Sequence, residues 1–278
     1  MTETTAVALP EGDYVLGTGD PEVERLGLQH LVWRPRASDA WRRAGFTVGQ
    51  HLIDIGCGPG YASIDLAGIV GDKGKITAVD RSPAFLDILR KRLASARIGN
   101  VTTVDQDLDE GRLPQLNADG AWVRWVFAFL TKPRQLLGAI HRALKPGATL
   151  VIHEYFDYAE WRISPREPEF EEFVQAVITS WRKSGGEPNI GLDLMGWLPK
   201  EGFEIRELRP IVDIITPRDF IWQWPSSFLE IGIARLVSLG YLADERASQI
   251  RETFRRIEKD PDTRMITPGV LEIIATRR

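Results

Sequence analysis

Between residues 51 and 154 the chain alternates short runs rich in β-branched residues with longer stretches of helical spacing, each boundary marked by Gly, Pro or Asp. This rhythm is that of parallel strands joined by crossover helices, so an α/β fold with helices on both faces of a sheet is predicted. Strands are expected at 51–55, 75–79, 101–104, 121–126 and 149–154. "YASIDLAGIV" forms a helix ending at Gly71, and "SPAFLDILRKRLASARIG" opens with Ser82 as N-cap and Pro83 at the first helical position. A third helix, "KPRQLLGAIHRALKPG", is expected to stop at the Pro146-Gly147 pair. "FEIRELRPIVDII" and "GVLEIIATR" supply a sixth and a last strand.

Three additions surround this frame. Residues 1–45 precede the first strand and contain "DPEVERLGLQHLVW" and "SDAWRRAG", read as two short helices opened by Asp20-Pro21 and by Ser38. Residues 156–190 read as one helix in a crossover, and 216–264 as a helical insertion between the last two strands. Insertions of this length with their own periodicity point to a cap beside the site. The domain division is thus an N-terminal lid, 1–45, and a main domain, 46–278, carrying the two cap insertions.

The formal charge is −4, with no basic run long enough to track a phosphate backbone, so nucleic acid is not expected as a partner. Cys57 is the only cysteine, which leaves no intrachain disulfide or thiolate cluster and fits a reducing compartment. No stretch approaches the roughly 18 apolar residues of a membrane span. The chain reads as cytoplasmic; a homodimer is compatible with it.

The segment "HLIDIGCGPG", residues 51–60, carries an acid and three glycines between a strand and a helix. Glycines there let a ligand approach the backbone at a helix N-terminus. The dinucleotide fingerprint would place its third glycine at 61, where Tyr61 stands. Asp54 at the loop mouth repels a pyrophosphate but suits an ammonium or a sulfonium.

These residues resemble the class I S-adenosylmethionine-dependent methyltransferases, specifically their small-molecule branch that includes quinone-biosynthesis enzymes. The resemblance runs over roughly 46–154 and implies a Rossmann-like, mostly parallel seven-stranded sheet with an antiparallel last strand, plus a helical cap. Asp54, Gly56, Gly58 and Gly60 reproduce the family's acid-x-Gly-x-Gly-x-Gly loop, and "LKPGA", 144–148, its turn before strand five, with Ala148 in place of a glycine. By the same resemblance Asp80 accepts the ribose hydroxyls. Asp107 faces the adenine amino group, with Asp105 competing for that role, and the Leu108 amide serves the ring. Tyr14 and Gln29 of the lid reach the methionine portion. Arg81, Arg124 and Cys57 complete the expected cofactor set, Cys57 being most simply a small filler of the tight loop. S-adenosylhomocysteine is the implied product.

Methyl transfer is an in-line displacement that needs alignment, and a base only where the acceptor must lose a proton. Acceptor groups are expected at the ends of strands four and five, in "WVRWVF" (122–127) and "VIHEYF" (151–156). Glu154, His153 and Arg124 are the candidate catalytic residues. Strand alternation sends His153 and Glu154 to opposite faces, and Glu154 could instead form a buried pair with Arg124. His30, His51 and His141 are read as packing residues. The Asn/Asp-Pro-Pro-aromatic turn of nucleic-acid amine methyltransferases is missing after strand four, and no Mg²⁺-binding acidic cluster is apparent, so no metal is expected. Trp161, Trp181, Trp222 and Trp224 are candidates for an acceptor wall, which favours a small, largely apolar or aromatic metabolite methylated on O or C. The alternatives are a protein that binds S-adenosylmethionine without transferring its methyl group, and a nicotinamide-dependent oxidoreductase.

Overall fold

A computed structural model describes residues 20–278. Its main sheet comprises β1 (His51–Ile55), β2 (Lys75–Asp80), β3 (Val101–Asp105), β4 (Ala118–Arg124), β5 (Leu144–Asp157), β7 (Phe203–Ile211) and β10 (Gly269–Arg277), in the order β3-β2-β1-β4-β5-β10-β7. The pairings β2–β3, β1–β2, β1–β4 and β4–β5 are parallel, while β10 is antiparallel to both β5 and β7. Strand order reverses between β1 and β4, and that reversal opens a crevice at the carboxyl ends of both strands.

The crossover helices are α2 (Tyr61–Val70), α3 (Pro83–Ala96) and α4 (Pro133–Ala143). The Ser82 hydroxyl caps α3 by accepting from the Phe85 amide at 3.3 Å, as its sequence position implied. The expected end of α4 at Pro146 is wrong by three residues. Lys145 precedes a proline and is disfavoured in helix, and Leu144, already extended and fully buried, pairs with Ala118. β4 also ends earlier than expected, at Arg124, because Trp125 turns the chain with φ +51°.

The two short helices expected before β1 are one, α1 (Asp20–Arg43), which runs through Pro35. Trp33, Ala37, Ala40 and Trp41 lie at i, i+4, i+7 and i+8 and are all fully buried, whereas Pro35 sits on the exposed face. Burying two indoles, at about 1.5–3 kcal/mol for each large side chain, offsets the roughly 3 kcal/mol that an internal proline costs.

The cap is formed by α5 (Pro168–Lys183), α7 (Gln223–Ser238) and α8 (Asp244–Lys259), while α6 (Ile190–Trp197) packs on β5 of the main sheet. A second, three-stranded antiparallel sheet without local signature pairs β9 (Arg264–Ile266) with β6 (Arg162–Ser164) and β8 (Ile214–Ile215), so the insertions are tied at their roots. The segment 156–190, expected as one helix, therefore contains β6 before α5. Trp161, Trp181, Trp222 and Trp224 are 2–4% exposed. Trp161, Trp181 and Trp222 pack with Phe170, Phe173, Phe228 and Phe254 into the cap core, whereas Trp224 stacks on Trp125 and meets Trp33.

Candidate active site

The glycine loop follows β1 directly, and the Gly56 and Cys57 amides both donate to the Val79 carbonyl, at 2.8 and 3.0 Å. Gly56 and Gly60 have φ of +68° and +83°, and a Cβ would lie 2.3 Å from Val126 Cγ2 at the first and 2.1 Å from Leu89 Cδ1 at the second. Only glycine satisfies both conditions. Above Gly58 there is open space, so a ligand can approach its backbone. The Gly58 amide donates to Asp80 Oδ2 at 2.7 Å and the Ser82 amide to Oδ1 at 2.9 Å. Asp80 thereby braces the loop against the start of α3 while each oxygen keeps acceptor capacity. Burial raises its pKa, and the two amides oppose that shift. The donor set suits a ribose diol.

Asp54 is 2% exposed and accepts from Ser63 Oγ at 2.5 Å. Burial pushes its pKa up to about 6, while the Ser63 bond and the Arg124 charge pull it back. Cys57 is buried and its thiol is pushed up by the same desolvation, with the Asp80 and Asp54 charges adding to it, which fits the filler role.

One cleft gathers Gln29, Asp54, Gly56, Cys57, Gly58, Asp80, Arg81, Leu108 and Arg124 from the expected set. Gly60 shapes the loop from behind, packed toward Leu89. Asp107 is exposed and outside the cleft lining; its carboxylate accepts from the Asp109 amide at 3.0 Å, capping the short 3₁₀ turn that carries Leu108. Asp105, paired with Asp80 in the sheet register, is exposed at the end of β3. Tyr14 lies outside the described residues.

The structure does not bring Glu154 and His153 into the cleft, which corrects the expectation that either serves as base. Glu154 is fully buried and accepts from the amides of Val126 (3.0 Å), Ala128 (3.4 Å) and Tyr155 (3.0 Å). Its partners are the backbone of the turn after β4, not Arg124. Burial pushes its pKa up to about 7 against those amides. His153, also fully buried, has Nε2 3.0 Å from Glu272 and rests against Trp33 and Trp122. Burial lowers its pKa although Glu272 opposes the shift.

Arg124 does line the cleft. Its Nη2 lies 3.3 Å from His30 Nδ1, and His30 Nε2 lies 3.0 Å from Asp65 Oδ2; the Asp65 carboxylate also accepts from Arg34, Nε at Oδ2 and Nη2 at Oδ1. Nδ1 is then the acceptor and Nε2–H the donor, an assignment drawn from the network. Burial lowers the pKa of His30, while Asp65 pulls it upward. His30 was read as a packing residue because nothing local in the sequence announces a partner 94 residues away. On the lid side, Gln29 Oε1 accepts from Arg25 Nη1 at 2.8 Å, and Arg25 is clamped by Glu22.

Trp122 and Trp125 line the cleft from the segment 122–127 expected to face the acceptor, whereas Leu26, Tyr61 and Phe129 carried no such expectation. Tyr61 had a signal: it is the first residue of α2 after the loop. Its hydroxyl donates to the Val23 carbonyl at 3.1 Å and accepts from Arg92 at 2.6 Å, latching α1 over the loop. Among the described residues there is no group of three or more His, Cys, Asp or Glu side chains able to hold a metal, and no helix is long and apolar enough to cross a membrane.

Residues 52–147 match the family model described as a methyltransferase domain. The ubiquinone/menaquinone biosynthesis C-methyltransferase of Psychromonas ingrahamii is 28% identical over 127 residues, 45% of this chain and 49% of that protein. The demethylmenaquinone methyltransferase of Symbiobacterium thermophilum is 29% identical over 150 residues, 51% of this chain and 59% of that one. The chain thus spans about half the length of the curated relatives it matches. Among solved structures, phosphoethanolamine N-methyltransferase 2 of Haemonchus contortus, in complex with S-adenosyl-L-methionine, has a TM-score of 0.54 at 19% identity, covering 90% of this chain and 56% of that one. That likeness concerns the fold.

Proposed function

We propose, from the premise that residues 52–147 form a class I S-adenosylmethionine-dependent methyltransferase domain related to the quinone-biosynthesis enzymes, that this protein transfers a methyl group to a small, largely apolar or aromatic molecule through an oxygen or an acidic carbon. The bound cofactor supplies an electrophilic methyl on a sulfonium. The observation that carries the reading is the brace between Asp80 and Gly58 beneath an open glycine loop. Asp80 holds the ribose hydroxyls, Asp54 offers negative charge to the cationic end, and Leu108 borders the base. Trp122, Trp125, Val126, Phe129 and Leu130 form an apolar wall for the acceptor.

Orientation is the main contribution of the chain, and it can supply about 7–11 kcal/mol. Asp54 is tied to Ser63 and Asp80 to two amides, so neither is presented as a free base. Of the segment before β1, α1 acts as the lid: it contributes Leu26 and Gln29 to the cleft, and the Tyr61 latch holds it there.

Calorimetry with S-adenosylhomocysteine tests the cofactor half. Asp80→Ala removes hydrogen bonds worth about 1.5–3 kcal/mol and is expected to weaken binding roughly 10- to 150-fold. Unchanged affinity, or preference for NADH, would sink the reading. The transfer itself is tested by mass-spectrometric detection of S-adenosylhomocysteine and a methylated product after incubation with fractionated metabolites. Tight cofactor binding without turnover on any fraction would favour the non-methylating alternative.

A further inference from the structure

The segment after β4 presents two adjacent side chains that both line the cleft and both keep a buried N–H without a partner among the described residues: Arg124 at Nη1 and Trp125 at Nε1. Buried donors are nearly always satisfied, and an orphan that borders a cleft is a place where a ligand atom belongs. The guanidinium carbon lies 5.3 Å from the Trp125 ring centroid and 5.8 Å from that of Trp122, so the charge is flanked by indoles.

The conformation of Trp125 adds a second, independent observation. A bulky residue at φ +51° is uncommon and strained, and such strain persists only where surroundings impose it. Here they do. The Trp125 amide donates to the His153 carbonyl at 2.9 Å, and the next amides, of Val126 and Ala128, are drawn into the buried Glu154 carboxylate. The indole stacks with Tyr155 (5.5 Å, 15°) and with Trp224 (5.6 Å, 12°). Glu154 is thus a positioning residue, holding the turn that sets Arg124 and Trp125 side by side.

We infer that Arg124 Nη1–H and Trp125 Nε1–H form a two-donor site for an anionic oxygen of the acceptor, which is therefore an aromatic or alicyclic phenolate, enolate or carboxylate. The charge layout supports this division: Asp54 and Asp80 serve a cationic cofactor, and Arg124 brings the opposite sign to the aromatic wall. A charge-assisted donor pair discriminates an oxyanion from a neutral isostere far better than apolar contact does. An oxyanion already ionised when bound needs no base, which agrees with the burial of Glu154 and His153 away from the cleft.

The inference rests on the methyltransferase reading, and the test separates the two. Binding of S-adenosylhomocysteine to the wild-type protein is measured first and decides that reading alone. The loaded protein is then titrated with 2-naphthoate and with 2-naphthamide. A preference of at least about 10-fold for the carboxylate is expected, abolished in Arg124→Gln and reduced about 3-fold in Trp125→Phe, which keeps the ring and removes the donor. Melting temperatures and S-adenosylhomocysteine affinity, expected within about 3-fold of wild type in Trp125→Phe, show that the variants remain folded and loaded. Equal affinity for the two probes, or a preference untouched by Trp125→Phe, overturns the inference. So does an Arg124→Gln protein that loses affinity for S-adenosylhomocysteine but not for 5′-methylthioadenosine, since Arg124 would then serve the cofactor carboxylate.

Discussion

The two halves of the cleft are built on different length scales. The proposed cofactor half comes mainly from one short stretch, 54–82, where β1, the glycine loop, α2 and the end of β2 follow one another and the contacts are largely backbone to carboxylate, with Gln29 and Leu108 added from outside it. The proposed acceptor half draws on α1, the end of β4, the interior of β5 and α7, with Trp33, Trp125, Trp224 and Tyr155 packed ring to ring. Backbone geometry specifies the first half and tertiary packing the second. A region of the first kind is written in spacing; one of the second exists only once distant elements have met.

Gly56 joins the halves, because the Cβ it lacks would strike Val126 of the acceptor turn. Gly56→Ala is expected to have the largest effect: left-handed strain plus overpacking on the order of 2–4 kcal/mol, read by denaturant unfolding, and loss of S-adenosylhomocysteine binding beyond about 100-fold. Gly58→Ala, whose Cβ meets open space, bears only the backbone strain of about 1–2 kcal/mol. Equal destabilisation by the two would dissolve the link between loop and turn.

Glu154 sharpens the contrast through pH. Its folded pKa, about 7, stands above the ordinary glutamate value of 4.5, so the stability it contributes is full below the unfolded value and is lost as pH rises through the folded one. The shift corresponds to on the order of 3 kcal/mol. Glu154→Gln removes this titration, and the variant is expected to gain on the wild type by about that amount from about pH 4 to about pH 8. Taking the difference between the two proteins isolates Glu154 from Asp54, whose raised pKa acts in the same direction, and from His30 and His153, whose lowered values act oppositely. A flat difference profile would mean that the carboxyl does not titrate differently on folding.

The smallest effect is expected at Asp107. Exposed and engaged only in capping its own turn, it should change S-adenosylhomocysteine affinity less than about 3-fold when replaced by Ala. A loss as large as that of Asp80→Ala would return Asp107 to the cofactor site and extend that half to β3.

What failed to be legible has a common cause. Pro35 reads locally as a helix breaker, and only the burial of Trp33 and Trp41 against the rest of the molecule carries α1 through it. Alternation correctly sends His153 and Glu154 to opposite faces, but β5 is interior and both faces are covered, so neither reaches the cleft beyond the strand ends. Three of the four tryptophans of the cap region fill its core and Trp224 backs Trp125, while Trp125 and Trp122, inside a segment already singled out for the acceptor, line the cleft. His30 and Arg124 are 94 residues apart and meet only across the folded site.

By itself the sequence determined the parallel alternation of strands and helices, the glycine loop, the acid at 54 and the acid at 80, because these depend on local dihedral freedom and on short-range spacing that any observer of the chain can read. The tertiary structure alone decided that α1 is continuous, that Glu154 braces a turn, and that Arg124 and Trp125 stand together in the cleft with unmet donors. Those outcomes arise from burial and from hydrogen bonds between segments far apart in the chain, whose free energy has no local signature.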